Sequence, residues 1–547
     1  MQVNLSIQNP APKQFNRPFI ILSLIWLIAS LLLYVSLRPG LNKPLQWDEV
    51  DYIQAARQGF LSNAMDETAL PPSALLELIL SKLRNTKVQV HQSYVETKDV
   101  FILRHTHPPL LQYFLMLIGQ DRLQPRFEQV QRFVQFSGGS LLIATMLWGY
   151  LKLAGEHSNH YGLIMTSAAG VLCGHYLASQ LNCHLWIAIT LVPACISLSR
   201  FMTAQSRSNG IITGLWIGVN FLGLQTGIFV AFWAVIAVGF SIVFNTASKA
   251  VSDELGIAFK IGDWIKKSCW MLIGFFIVLA LTYPGAIIRL SLLRIFALYA
   301  FAIMKGDEYA SVSGKYNGYL AMTFPILIVG MIGILNTLLT LKSKRSNIRI
   351  AFTVIGFGYG IVLLKFLLSI TYITPSLAIL SILGCASISS FQKRMIEIPA
   401  CILFVISIAW IFQVKPEMVY YGSIEGYTNI APFVEKTEVF VEGANIMQYY
   451  MPELANRIIP ITTAEAGRKL IRRDTKTLQY LTMTPDELAG KIVILGAFNG
   501  HSPYEWESSL PADVKQLQVK GIGGRIHQFP GHLTTPDLNS LKKPSSP

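Results

Sequence analysis

The sequence predicts a polytopic α-helical membrane protein with a small α/β domain at its C-terminal end. Three observations carry this. Of 547 residues, 52% are hydrophobic and only 14% charged, where a soluble chain carries roughly 25% charged residues. The deficit lies in long apolar runs, each about the length that crosses a hydrocarbon core of roughly 30 Å. The basic residues gather in alternate loops between those runs, as the positive-inside rule requires.

The first run, FIILSLIWLIASLLLYVSL (19–37), is uncharged. It is too long for the apolar part of a signal peptide, no small-x-small cleavage site follows it, and many similar runs succeed it, so it is read as a retained span. Further spans are expected near 132–153, 160–178, 183–202, 209–225, 227–245, 267–284, 318–341, 348–367, 371–390 and 396–414, eleven in all. With the N-terminus in the cytoplasm, the inner loops hold Lys152, Arg200, Arg207, Lys266, Lys267, Lys342, Lys344, Arg345, Lys393 and Arg394. The net charge of +14 is therefore a membrane signature, and nucleic acid is not expected as a partner. The six cysteines all lie in or beside apolar stretches, with no disulfide framework and no CxxC pattern.

The same parity decides LLQYFLMLIG (110–119). Counting it as a span would invert every later loop and put KSKRSNIR (342–349) outside, so it reads as a short helix at the outer interface. AIIRLSLLRIFALYAFAIM (286–304), interrupted by Arg289 and Arg294, reads as a second surface segment, with one more span as the alternative. The expected organisation is a membrane module over 1–414, with outer loops 38–131 and 285–317, followed by a non-cytoplasmic domain over 415–547. In that domain TEVFVEG (437–443), RIIPIT (457–462) and KIVILGAF (491–498) read as strands, with a helix over 445–455 and a loose tail after about Gly531.

Three stretches hold candidate chemistry. QWDEVDYIQAARQG (46–59) places Asp48, Glu49 and Asp51 just after the first span. A helix from Glu49 would put Tyr52, Ala55, Ala56 and Gly59 on one face. The acids are either a base at the membrane surface or a solvated helix start. RHTHPPLLQYF (104–114) brings Arg104, His105 and His107 to a Pro-Pro pair and an apolar helix. The basic residues suit a lipid phosphate or interfacial anchoring. The HxH pair with one of the acids could hold a divalent metal ion, a weak signal in a loop. In GDEYASVSGKYNGY (306–319), Asp307, Glu308 and Lys315 read either as a solvated loop before a helix or as a lining of the acceptor or donor entrance on the side of Asp48.

A DE pair after the first span, then a long outer loop ending in HPPL and an aromatic-rich apolar helix, resembles the C-type (GT-C fold) membrane glycosyltransferases. The resemblance is to the family 39-like branch with the protein O-mannosyltransferases and the lipid A aminoarabinose transferase. It implies inverting transfer of a sugar from a polyprenyl-phosphate donor to a hydroxyl of a glycan, lipid or protein, at the outer membrane face. Asp48 matches the family's acidic residue that serves as base or acceptor-positioner, with Glu49 as its supporting neighbour. His107 matches the histidine of HPPL and would lie near the donor phosphate, beside Arg104 and His105. The chain departs from the pattern at ASQLNCHLW (178–186), where relatives carry a second acid or Gln-Glu-Ala-Arg. Gln180 remains, and Asn182 and His184 are the other polar residues of this second sub-site. A late-span basic residue before a tyrosine is also missing: Tyr372 is present, and Lys365 lies upstream as a phosphate contact or a snorkelling residue. The rival functions are a ligase or oligosaccharyl-type transferase using a diphosphate-linked glycan, and a non-catalytic transporter or scaffold. Compact size and no Cys-rich lumenal region favour a bacterial inner membrane.

Overall fold

The computed structural model describes residues 17–40, 45, 47–65, 80, 84, 108–117, 128–179, 181–247, 255–290, 317–340, 346–364, 370–413, 424–442, 444–464, 468–473, 480–495, 505–508, 510–522 and 524–531. Among them the eleven expected apolar runs are all helices. They are α1 (Arg17–Leu37), α5 (Glu128–Ala154), α6 (His160–Ala178), α7 (Cys183–Ala204), α8 (Arg207–Gly223), α9 (Gly227–Ala247), α10 (Leu255–Thr282), α11 (Asn317–Leu339), α12 (Ser346–Leu364), α13 (Ile370–Phe391) and α14 (Arg394–Gln413). Between α1 and α5 lie the shorter α2 (Trp47–Arg57), α3 (Phe60–Ala64) and α4 (Leu110–Leu117). Eight residues of helix span only about 12 Å, so α4 is too short to cross a bilayer.

The helices form a bundle with α7 and α13 inside. Nearly every side chain of α7 is buried, against α5, α8, α12 and α13. α1 and α14 are strongly apolar yet little buried, and expose Leu24, Leu27, Leu31, Val405 and Ile406. Such a surface is stable only against lipid. Among the described residues five stretches are long and apolar enough to cross a membrane: Phe19–Leu37, Cys183–Ala204, Ile261–Thr282, Tyr372–Phe391 and Arg394–Phe412. This is an integral, polytopic membrane protein.

Close packing between spans uses small residues. Gly210, Gly214 and Gly218 stand one turn apart on α8 and face α10, where Gly274 answers them. A Cβ at Gly214 would collide with the Met271 carbonyl, and one at Gly274 with the Ile211 carbonyl.

Hydrogen bonds sort the loops into two ends. At one, His157 meets Gln392 at 3.1 Å, Asn159 donates to Glu397 at 2.6 Å, and Asn347 donates to Thr203 at 3.2 Å. Lys267 there donates to Gln205 at 2.5 Å and pairs with Asp263. This is the basic end. At the other end α2, α4, the α6–α7 loop and the start of α13 come together, as loop parity requires.

Beyond α14, α15 (Ile424–Val434) and α16 (Ala444–Tyr450) accompany a seven-stranded sheet. Its strands are β1 (Val439–Glu442), β2 (Ile458–Ala464), β3 (Lys469–Arg473), β4 (Tyr480–Thr482), β5 (Ile492–Leu495), β6 (Lys515–Leu517) and β7 (Arg525–Gln528), in the order β4-β3-β2-β1-β5-β7-β6. Central β1 runs parallel to β2 and β5, and the other pairings are antiparallel. Alternation divides the core: Phe440, Val493 and Leu495 pack with Leu470 and Phe529 on one face. Val439, Val441, Ile492 and Ile494 join Ile446 and Met447 of α16 on the other. The three expected strands are β1, β2 and β5. The four others lie outward of β2 and β5, and are short or polar.

One local expectation needs correcting. The acidic helix starts at Trp47 and ends at Arg57, with Tyr52, Ala55 and Ala56 buried. Gly59 lies outside it, at φ +88°, a conformation suited to glycine, and turns the chain into α3. In the 286–304 segment the helix described is a single turn, Gly285–Ile288, with Leu290 at φ +52°; residues 291–304 lie outside the described residues, as do 306–316 with Asp307, Glu308 and Lys315.

Candidate active site at the end opposite the basic loops

The site is built on α2. Starting at Trp47, the helix carries Asp48 and Glu49 in its first turn, where the helix dipole favours negative charge. Glu49 is not a solvated acid: it is 1% exposed. Its Oε1 accepts the Leu181 N–H at 2.8 Å. A buried carboxylate is costly unless it is hydrogen-bonded. The backbone of Asp48 is described and its side chain is not. Arg104, His105, His107, Gln180 and Lys365 lie outside the described residues.

Leu181 belongs to the stretch that the sequence marks as the second sub-site, and that stretch is tightly specified. Asn182 caps α7 by accepting the His184 N–H at 2.7 Å, the usual use of asparagine at this position. Gln135 of α5 donates to the carbonyls of Leu177 at 2.9 Å and Asn182 at 3.2 Å, closing the turn between α6 and α7. The first turn of α7 then presents two rings. His184 meets Tyr372 of α13 edge-on, with centroids 4.3 Å apart at 73°. Trp186 stacks on Phe114 of α4 at 4.1 Å and 18°.

The HPPL helix is fixed the same way. Pro108 and Pro109 are buried, and the Pro109 carbonyl accepts the Tyr113 N–H at 2.9 Å. Tyr113 stacks on Phe60 of α3 at 4.7 Å and donates its hydroxyl to the Thr282 carbonyl at 2.5 Å. Burial pushes this phenol well above its usual range, so it remains a donor.

One segment, 177–186, thus joins α2 through Glu49, α4 through Trp186, α5 through Gln135 and α13 through His184. Of the sequence candidates, Glu49, Asn182, His184 and Tyr372 come together here, and Asp48 is the chain neighbour of the buried Glu49. Gln135, Phe114 and the Leu181 amide were not singled out by sequence. Gln135 is one of several glutamines in FEQVQRFVQF (127–136), and an amide N–H leaves no side-chain signature. Trp186 was within reach, two residues from His184. Among the described residues no group of three or more His, Cys, Asp or Glu could hold a metal ion. What this arrangement offers chemically is a buried, anchored carboxylate near the start of α2, joined through the Leu181 backbone to the segment that carries an imidazole in contact with a phenol.

No protein-family model and no curated protein matches the chain. Among solved structures, ArnT from Cupriavidus metallidurans bound to undecaprenyl phosphate aligns over 96% of this chain and 99% of its own, at 11% identity and TM-score 0.46. Its apo state gives 12% identity and TM-score 0.47 over 96% and 100% of the two chains. The apo Archaeoglobus fulgidus oligosaccharyltransferase gives 13% identity and TM-score 0.46, covering 84% of this chain and 66% of that one. Each is a likeness and assigns nothing to this chain. Fold and site define a polytopic membrane protein with a polar, acid-bearing site at the end of its bundle opposite the basic loops.

Proposed function

We propose that the chain is an inverting glycosyltransferase. It moves a sugar from a polyprenyl-phosphate donor to an acceptor hydroxyl at the outer face of the membrane, with a bacterial inner membrane as its setting. The observation that carries this reading is the Glu49–Leu181 hydrogen bond. It ties the DE helix to the loop of the second sub-site, at the bundle end where a lipid phosphate would lie once the basic loops face the cytoplasm.

In this reading Asp48 takes the proton of the acceptor hydroxyl. The acceptor oxygen attacks the anomeric carbon, the bond from that carbon to the phosphate oxygen breaks, and polyprenyl phosphate departs. A single displacement inverts the configuration and needs no carboxylate nucleophile. His184 and Tyr372 bind the donor phosphate by hydrogen bonds from the ground state onward and keep them as its charge grows, together with His107, Arg104, His105 and Lys365. Glu49, buried and already committed to Leu181, positions α2 rather than serving as the base. Residues 1–414 form the membrane module and 415–547 the outer domain.

The test is a panel of radiolabelled polyprenyl-phosphate sugars offered to the purified protein. One of them should bind and be turned over. Binding of none would overturn the reading, and use of diphosphate-linked glycans alone would replace it by the ligase alternative.

A further inference from the structure

We infer that the C-terminal sheet domain clamps α2 at both ends through two consecutive tyrosines, and that Tyr450 is a positioning residue for the reaction proposed above, on which this inference rests. The Leu45 N–H donates to the Tyr450 hydroxyl at 2.7 Å. Leu45 is 2% exposed, two residues before α2 and three before Asp48. At the far end of α2, the Arg57 guanidinium lies over the Tyr449 ring, 5.1 Å from its centroid. The two contacts bracket a helix about 16 Å long.

The clamp is itself rigid. Tyr450 lies flat on Tyr427 of α15, centroids 4.7 Å apart at 9°, and Tyr449 meets it edge-on at 5.2 Å. Gln448 donates to the Ile458 carbonyl at 2.8 Å, fixing α16 to the start of β2. α15 in turn approaches the 519–522 turn so closely that a Cβ at Gly426 would strike the Gly521 carbonyl. A chain of contacts therefore runs from the sheet through α15 and α16 to the segment that leads into Asp48. Reacting groups must be held within about 0.5 Å of their productive positions, and a misplacement of about 1 Å can cost on the order of a hundredfold in rate.

The experiment uses the full chain in lipid nanodiscs and compares wild type with Tyr450→Phe, which keeps the ring stack and deletes only the hydroxyl. Deuterium exchange should quicken across 45–57 and stay unchanged in β1, β2 and β5. With the donor identified above, kcat should fall about tenfold or more while the donor KM stays within about twofold. Unchanged exchange over 45–57 overturns the clamp, and so does quickening spread over the whole sheet, which is loss of folding. Faster local exchange with an unchanged kcat overturns the positioning role. If wild type uses no lipid-linked sugar, the proposed function fails, and with it the positioning role, while the exchange data still decide the clamp.

Discussion

The backbone amide of Leu181 donates to the carboxylate of Glu49 across 2.8 Å, although the two residues stand 132 apart in the chain. The bond divides the labour between neighbouring acids. Glu49 is buried and spends an oxygen on the loop before α7, a positioning contact; the proposed function gives the proton transfer to Asp48.

Substitution at Glu49 separates anchoring from charge. Glu49→Gln keeps an oxygen to accept the Leu181 N–H and should retain most of the fold. Glu49→Ala leaves that buried N–H unsatisfied, a loss of roughly 1–3 kcal/mol. The check is thermal unfolding in detergent, where Ala should melt measurably below Gln and wild type. Equal melting temperatures for the two variants would show that the bond does not hold the site.

Tyr372→Phe keeps the edge contact with His184, seen at 4.3 Å, and removes the hydroxyl. If that hydroxyl meets the donor phosphate, the donor KM should rise by roughly tenfold, the worth of one hydrogen bond to a charged group, with stability little changed. Saturation kinetics decide it: an unchanged KM removes Tyr372 from the phosphate site.

Helix packing gives a prediction independent of chemistry. Gly214→Val should force α8 away from the Met271 carbonyl of α10, costing about 1–3 kcal/mol as overpacking does. A lowered melting temperature is expected, whereas substitution at Gly262, which has open space around its Cβ position, should leave packing intact.

The C-terminal sheet should weaken in acid through Glu487. Burial alone would raise its carboxyl. The Thr484 backbone N–H and the Arg472 guanidinium outweigh burial and hold it below the usual carboxylate range. A group lowered in the folded state adds stability above its unfolded pKa and loses it as pH falls through the folded value. Exchange in β3 and β4 of the full chain should therefore quicken below the ordinary glutamate range, and less so in Glu487→Gln. Identical acid profiles would contradict this.

The sequence made the membrane module legible because each span is a long apolar run, and a run such as 183–202 needs no tertiary information to be a helix. Loop parity kept 110–119 from being counted as a span, and α4 at eight residues agrees. The GxxxG spacing of Gly210, Gly214 and Gly218 was present but is informative only once α10 is seen to lie against it. Of the site, sequence marked Asp48, Glu49, His184 and Tyr372 but could not tell buried from exposed acid. Burial of Glu49 depends on a backbone N–H far along the chain. β6 and β7 were missed because KQL and RIHQ lack apolar alternation; RIHQ pairs because β5 needs a partner on its outer edge. Tyr449 and Tyr450 read as part of a helix, with nothing local to say that α2 lies against them.

Asp48 as the base is put to the test by turnover of the accepted polyprenyl-phosphate sugar by wild type and by Asp48→Asn at matched expression and folding. Asp48→Asn should still bind the donor and lose the rate by a factor of about a hundred or more, as removal of a general base does. Turnover at the wild-type rate in Asp48→Asn would contradict it.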